Sequence, residues 1–132
     1  MNDAERQRYE AGLKTRREVL GAEYVDRALA NADDFTRPFQ EFVTMQAWDA
    51  VWNRPGLDRR TRSIINLAML GALGRSQELA AHARGALTNG VTPDEIREVL
   101  IQVAGYAGFP AGVEAFRAVQ PVIAEHTGSR AR

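Results

Sequence analysis

Residues 91–107, VTPDEIREVLIQVAGYA, carry the pattern that most narrows the fold. Apolar residues recur at 96, 99, 100, 103, 104 and 107, the i, i+3, i+4 spacing that lays one stripe along an α-helix. The start of this helix is written just as clearly. Thr92 and Glu95 have capping-box spacing, Pro93 takes the first helical position, where a missing N–H costs nothing, and Val91 can staple to Ile96. Nowhere does the chain show strand-like alternation or a hairpin turn, so the expected fold is all α.

The rest of the chain supplies further helices. From Asn2 or Asp3 to about Leu20, the residues Tyr9, Leu13, Arg16 with Arg17, and Leu20 make one weakly apolar face among many charges, and Gly21 breaks it. Residues 22–32 form a short helix with Tyr24, Val25, Ala28 and Leu29 on one side. Asp33-Asp34 reads as a turn or N-cap pair, and a third helix runs from Phe35 to Trp52 with Pro38 in its first turn. Its Phe39, Phe42, Val43, Met45, Trp48, Val51 and Trp52 are expected mostly in the core, with a share at a subunit interface. Asn53-Arg54-Pro55-Gly56 is the clearest break. Asp58 then caps a helix to about Gly74 that turns apolar all round after Asn66, the mark of a buried helix. An alanine-rich helix from Ser76 closes at Asn89-Gly90. A last helix covers about residues 111–125, with Val113, Phe116, Val119, Val122 and Ile123 inward. The expectation is a single domain over residues 1–132 built as a bundle of about six or seven helices.

Composition removes several classes of function. The chain has no cysteine, which excludes disulfides, thiolate nucleophiles and cysteine-ligated metals. Its two histidines, His82 and His126, are far apart, with no HxxxH or HxH pair, so no metal site is expected. Seventeen basic and seventeen acidic residues cancel, giving no pull toward nucleic acid. No apolar run approaches the ~20 residues of a membrane span, and the charged N-terminus has no secretion-signal core, which points to the cytoplasm.

Chemistry-bearing residues gather in 58–90. Arg75, Glu78 and His82 fall at i, i+3 and i+7 on one helical stripe. A carboxylate one turn before an imidazole can orient it and favour its protonated form, which suits a general acid or base, or it can be a solvated surface pair. Arg59, Arg60 and Arg62 open a helix, against its macrodipole. Arg59 and Arg62 with the backbone N–H groups would make a carboxylate site, and salt bridges to the acidic N-terminal helices are the alternative. Tyr106, in a Gly-rich turn, offers a hydroxyl or is a core tyrosine, and Trp48 and Trp52 are core or interface first and pocket wall second.

Three stretches carry a resemblance: YEAGLKTRREVLGAEYVDRALANADDFTRPFQEF, then WNRPGLDRRTRSIINLAML from Trp52, then ELAAHARGALTNGVTPDEIREVLIQVAGYAGFPAG. Over nearly its whole length the chain resembles the 4-carboxymuconolactone decarboxylase family. The wider superfamily includes alkyl hydroperoxidase D proteins, with a CxxCxxxH redox site whose cysteines fall here on Arg75 and Glu78 and whose histidine falls on His82. Peroxidase chemistry is therefore excluded while the histidine stays. The resemblance implies an alkyl hydroperoxidase D-like helical bundle, a homo-oligomer (commonly a hexamer, or a trimer of dimers), with sites near subunit contacts. It implies decarboxylation of 4-carboxymuconolactone to 3-oxoadipate enol-lactone and CO2 in the protocatechuate branch of the β-ketoadipate pathway.

That reaction fits the residues. Its substrate is a lactone with two carboxylates, and electrons left by the departing CO2 flow through the ring double bond to the lactone carbonyl. The substrate is its own electron sink, so no cofactor is expected. The protein must bind anions, stabilise the oxyanion and deliver a proton. Arg59 or Arg62 would hold the retained carboxylate and Arg75 would face the oxyanion, with Trp52 or Phe109 as a low-polarity wall and His82, oriented by Glu78, as proton donor. The rival readings are a family member acting on another small lactone or oxo-acid, and a non-catalytic helical oligomer that binds a small anion.

Overall fold

The computed structural model describes the backbone of residues 1–131 and the side chains of residues 1–128. Among the described residues there are seven α-helices, one π-helical segment and no strand, as the periodicity requires. The chain divides into two compact units, Met1–Asp58 and the residues from Arg59 onward.

In the first unit α1 spans Asp3–Leu20, where Asn2 caps it by accepting from the Glu5 N–H at 2.8 Å. Gly21, at φ +96°, ends α1 and leads straight into α2, Ala22–Ala30. The Asp33 carboxylate accepts from the N–H groups of Phe35 and Thr36 at 3.0 and 2.9 Å, which fixes the turn before α3, Arg37–Val43. Pro38 lies in the first turn of α3, as expected. The single α-helix expected to run on to Trp52 instead changes character after Val43. Thr44–Val51 is π-helical, and the Trp52 N–H donates to the Ala47 carbonyl five residues back at 3.0 Å. This wider segment packs against α1. Gly12 makes that possible, because a Cβ there would overlap the Thr44 carbonyl oxygen. Val19, Trp48 and Trp52 form the buried cluster of the unit, with the two indoles stacked at 5.0 Å and 17°. The phenylalanines expected in this core are outside it. Phe39 and Phe42 are exposed, as is Val51, and α3 buries none of its residues; Phe35, before α3, is 91% exposed.

The second unit holds α4 (Arg59–Leu73), α5 (Ser76–Thr88), α6 (Pro93–Ala107) and α7 (Phe109–Ala131). Its core joins Leu67, Leu79, Ala83, Ala86, Leu100, Ala115, Val119 and Val122. The small residues of α5 let its neighbours come close. The capping box is present as expected: Thr92 Oγ1 accepts from the Glu95 N–H at 3.1 Å, and Glu95 Oε1 accepts from the Thr92 N–H at 3.0 Å. Val91 and Ile96 are both buried in this core, where the staple would place them.

Two expectations are corrected here. The helix expected to be buried all round, α4, buries only the Ser63, Leu67, Gly71 stripe and leaves Ile65, Met69 and Leu73 exposed. In α7 the inward set is Gly112, Ala115, Val119 and Val122, while Val113 and Phe116 are exposed. The phase is set where α7 crosses α6, since a Cβ on Gly112 would stand 2.5 Å from Ala104 Cβ. Among the described residues no helix is long and apolar enough to cross a membrane.

Candidate active site

The packing of α4 on α5 positions most of the residues singled out in the sequence. The two helices run antiparallel and are tied at one end by Asn89 Nδ2, which donates to the fully buried Ser63 Oγ at 3.0 Å. Arg59 and Arg62 therefore lie at the end of the pair where α5 finishes, while Arg75 and Glu78 lie at the end where it begins. Arg59 and Arg75 are separated by about 20 Å along the axis of α4 at the usual helical rise. Within one chain these arginines do not converge on one compact pocket, and His82 stands between them on α5.

His82 is largely buried, with Nδ1 sealed from solvent. Burial pushes its pKa down to about 4, and the Glu78 charge pulls the other way with less effect. The sequence favoured a protonated imidazole beside Glu78. The resting imidazole at neutral pH is uncharged instead, because desolvation outweighs an exposed carboxylate. This has a consequence for stability. The unfolded chain protonates His82 near pH 6.5, whereas the folded chain resists until about 4. The unfolded state thus binds more protons in that window, and stability falls as the pH drops from about 6.5 to about 4. The expected loss is roughly 2 to 3 kcal/mol. Urea unfolding of wild type and His82→Gln between pH 7.5 and 4.5 measures it, and parallel pH dependences in the two proteins would refute the assignment.

At the head of α4 the first turn carries no acid, so the arginines face the positive end of the helix dipole. Arg60 is engaged by Glu95 of α6. That hydrogen bond, with the Thr92 N–H, holds the Glu95 carboxyl down at about 2. Arg59 and Arg62 are half-buried and take part in further interactions, and Arg62 Nε is sealed from solvent. Arg75 and Glu78 are exposed.

The aromatic candidates separate sharply. Trp52, in the first unit, is a core residue stacked on Trp48. Tyr106 is 89% exposed and Phe109 is also exposed, so the core tyrosine and the apolar wall read from the Gly-rich turn are absent within one chain. The turn projects these rings because Gly108, at φ +108°, reverses the chain directly into α7. An open groove of about 640 Å³ between α6 and α7 lies away from these residues, floored by Ile96, Leu100, Phe116 and Val119. Among the described residues no three His, Asp or Glu side chains could together hold a metal ion.

Among its described residues the first unit holds one buried charged residue that the sequence did not single out as a site candidate. Arg16, on α1, is buried at 7% exposure between α1 and the π-helical segment. Its signal was in the sequence, as a cation on the apolar face with Leu13 and Leu20.

Comparison with known proteins adds to this geometry. Residues 37–121 match the Carboxymuconolactone decarboxylase family. A 4-carboxymuconolactone decarboxylase of Acinetobacter baylyi is 48% identical over 122 residues, which is 92% of this chain and 90% of that protein. A nitrosuccinic acid decarboxylase of Metarhizium robertsii is 46% identical over 122 residues, 92% of this chain and 85% of that protein. A 4-carboxymuconolactone decarboxylase of Pseudomonas putida is 51% identical over 43 residues, 33% of this chain. The match runs through both units and spans α4 and α5, and the chain belongs to the carboxymuconolactone decarboxylase family.

Proposed function

We propose that the whole chain acts as one carboxymuconolactone decarboxylase-like domain that converts 4-carboxymuconolactone to 3-oxoadipate enol-lactone and CO2. The observation that carries this reading is the end-to-end similarity to the Acinetobacter baylyi decarboxylase. Its place would be the protocatechuate branch of the β-ketoadipate pathway, in the cytoplasm.

The chemistry assigned to the residues is dictated by the substrate. The bond to the leaving carboxylate breaks, its electron pair moves through the ring double bond to the lactone carbonyl oxygen, and one proton is then taken up at carbon. His82 is the proposed proton donor. The resting imidazole is neutral, and a doubly negative substrate beside it raises its proton affinity, so the proton arrives with the substrate. Arg59 or Arg62 would hold the retained carboxylate, and Glu78 would orient His82. Arg75 and Tyr106 would act where another copy covers them.

Assembly into a homo-oligomer, a hexamer or a trimer of dimers, belongs to the same proposal. Its support is the apolar surface that single chains leave open: Ile65, Met69 and Leu73 along α4, Tyr106, Phe109 and Val113 at the α6–α7 turn, and Phe35, Phe39 and Phe42 in the first unit.

A second reading has its own support in the Metarhizium robertsii relative. In nitrosuccinate a nitro group next to the leaving carboxylate takes the electron pair, so the same donor set would serve. Purified protein should therefore be assayed for CO2 release from 4-carboxymuconolactone and from 2-nitrosuccinate, with EDTA present. Rapid turnover of the lactone, unaffected by EDTA, is expected. Release from nitrosuccinate alone would reassign the substrate, and release from neither would leave an anion-binding oligomer.

A further inference from the structure

From Ser63 to Gly74 the chain carries no charged residue. A helix side that faces water ordinarily carries charge, yet α4 turns Ile65, Met69 and Leu73 outward at i, i+4 and i+8. Ser63, Leu67 and Gly71, on its other side, are already buried within the second unit. The outward row is an unpartnered apolar face about 12 Å long at the usual helical rise. Its two ends differ in charge. Arg62 stands three residues before Ile65 on the same side, with Arg59 one turn behind it, at the positive end of the helix dipole. Past Leu73 come the negative end of that dipole, Arg75, and the exposed carboxylates of Glu78 and Glu114. Glu114 Oε2 is 3.7 Å from the point where a Cβ on Gly74 would lie.

A face that is apolar along its length, basic at one end and acidic at the other is complementary to itself when turned end for end. Parallel pairing would set Arg62 against Arg62. Antiparallel pairing centred on Met69 sets Ile65 against Leu73, and it sets Arg62 over the start of α5, since Arg62 and Ser76 are each seven residues from Met69. It also resolves the spread of the arginines. In one chain Arg62 and Arg75 are about 20 Å apart along α4, too far to hold the two carboxylates of one small lactone. Across the two-fold axis, Arg62 of one copy reaches Arg75 and Glu78 of the other, one turn of α5 from His82. Two guanidinium groups, offset by Glu78, then face one dianion.

We propose that α4 packs antiparallel on α4 of a second copy across a two-fold axis at Met69, and that Arg62 of each copy completes the site built on Arg75, Glu78 and His82 of the other. The shared site rests on the dicarboxylate reading of function; the pairing of the two helices does not.

Sedimentation velocity on the full-length protein tests the pairing. Arg62→Glu should loosen self-association about 10- to 100-fold, and Glu78→Arg added to it should restore association to within about threefold of wild type. Positions 62 and 78 lie at opposite ends of the helix pair in one chain, so the rescue reports a contact between copies. A monomeric wild type, an Arg62→Glu protein that associates normally, or a double variant that does not recover would each overturn the pairing. If Arg62→Glu does not fold, Met69→Lys, which sets two ammonium groups face to face on the axis, decides the matter by the same loosening or its absence. The shared site has its own readout. Folded Arg62→Ala and His82→Gln proteins, each nearly inactive on the lactone, should regain about a quarter of the wild-type rate when mixed equally and allowed to exchange, because about half the pairs are mixed and each mixed pair holds one intact site. No gain after exchange verified by native mass spectrometry would assign Arg62 and His82 of one site to one chain and end the proposal, as would a fully active Arg62→Ala. Failure of the substrate assignment is separable: if wild type releases no CO2 from the lactone, the charge-swap rescue still decides the pairing.

Discussion

A folded His82→Gln protein is expected to lose about 10²–10⁴-fold in turnover of 4-carboxymuconolactone while KM changes far less. Glutamine keeps much of the volume of the ring and one hydrogen-bond donor, but it carries no transferable proton near neutral pH. Protonation at carbon is the step that needs a positioned acid, so the loss should fall on kcat and not on binding. The imidazole is largely buried on α5, and that burial pushes its pKa down to about 4, so the proposed donor would have to take up its proton together with the substrate. Single-turnover measurement of CO2 and enol-lactone separates the steps. If CO2 release stays fast and only lactone formation slows, His82 serves protonation alone. A near-normal rate for both in a folded variant removes His82 from the mechanism.

The second large effect is on stability. Gly12→Val should destabilise the protein by about 3 kcal/mol or more, lowering the melting temperature by about 10 °C. Even the first atom of the new side chain would overlap the Thr44 carbonyl oxygen, a backbone atom that no rotamer change can move. The Asp49 backbone N lies 3.2 Å from the same position, so α1 would have to lift off the π-helical segment. Thermal unfolding followed by far-ultraviolet circular dichroism measures the change. Melting within about 2 °C of wild type would show that the two helices tolerate separation, and that the closeness at Gly12 is incidental.

Local signals were the legible ones. The capping box at Thr92 and Glu95, the staple at Val91 and the turn at Asp33 are written within a few residues, and all are present. The helical class was legible because periodicity is a local property too. Illegible features were those decided by a neighbour. Nothing in TMQAWDAV separates a π-helix from an α-helix, and the close approach of α1 at Gly12 involves residues far away in sequence. In α7 the expected Val119 and Val122 do face inward, but at its start Gly112 and Ala115 take the places expected of Val113 and Phe116, because Gly112 and Ala104 set the crossing. Arginine and histidine were legible as types at 59, 62, 75 and 82, but their spread along an antiparallel pair was not, since i, i+3, i+7 spacing says nothing about the next helix. The core reading of Tyr106 fails within one chain because sequence cannot say whether an aromatic ring is covered by its own chain.

The stacked indoles have a practical consequence. Trp48 and Trp52 are the only tryptophans in the chain, and both lie in the first unit. Their emission is thus a natural optical label for residues 1–58, whereas the amide signal at 222 nm sums over every helix. Tracking both signals through one denaturation resolves whether the two units melt as one cooperative body or in sequence, with no dye or engineered probe.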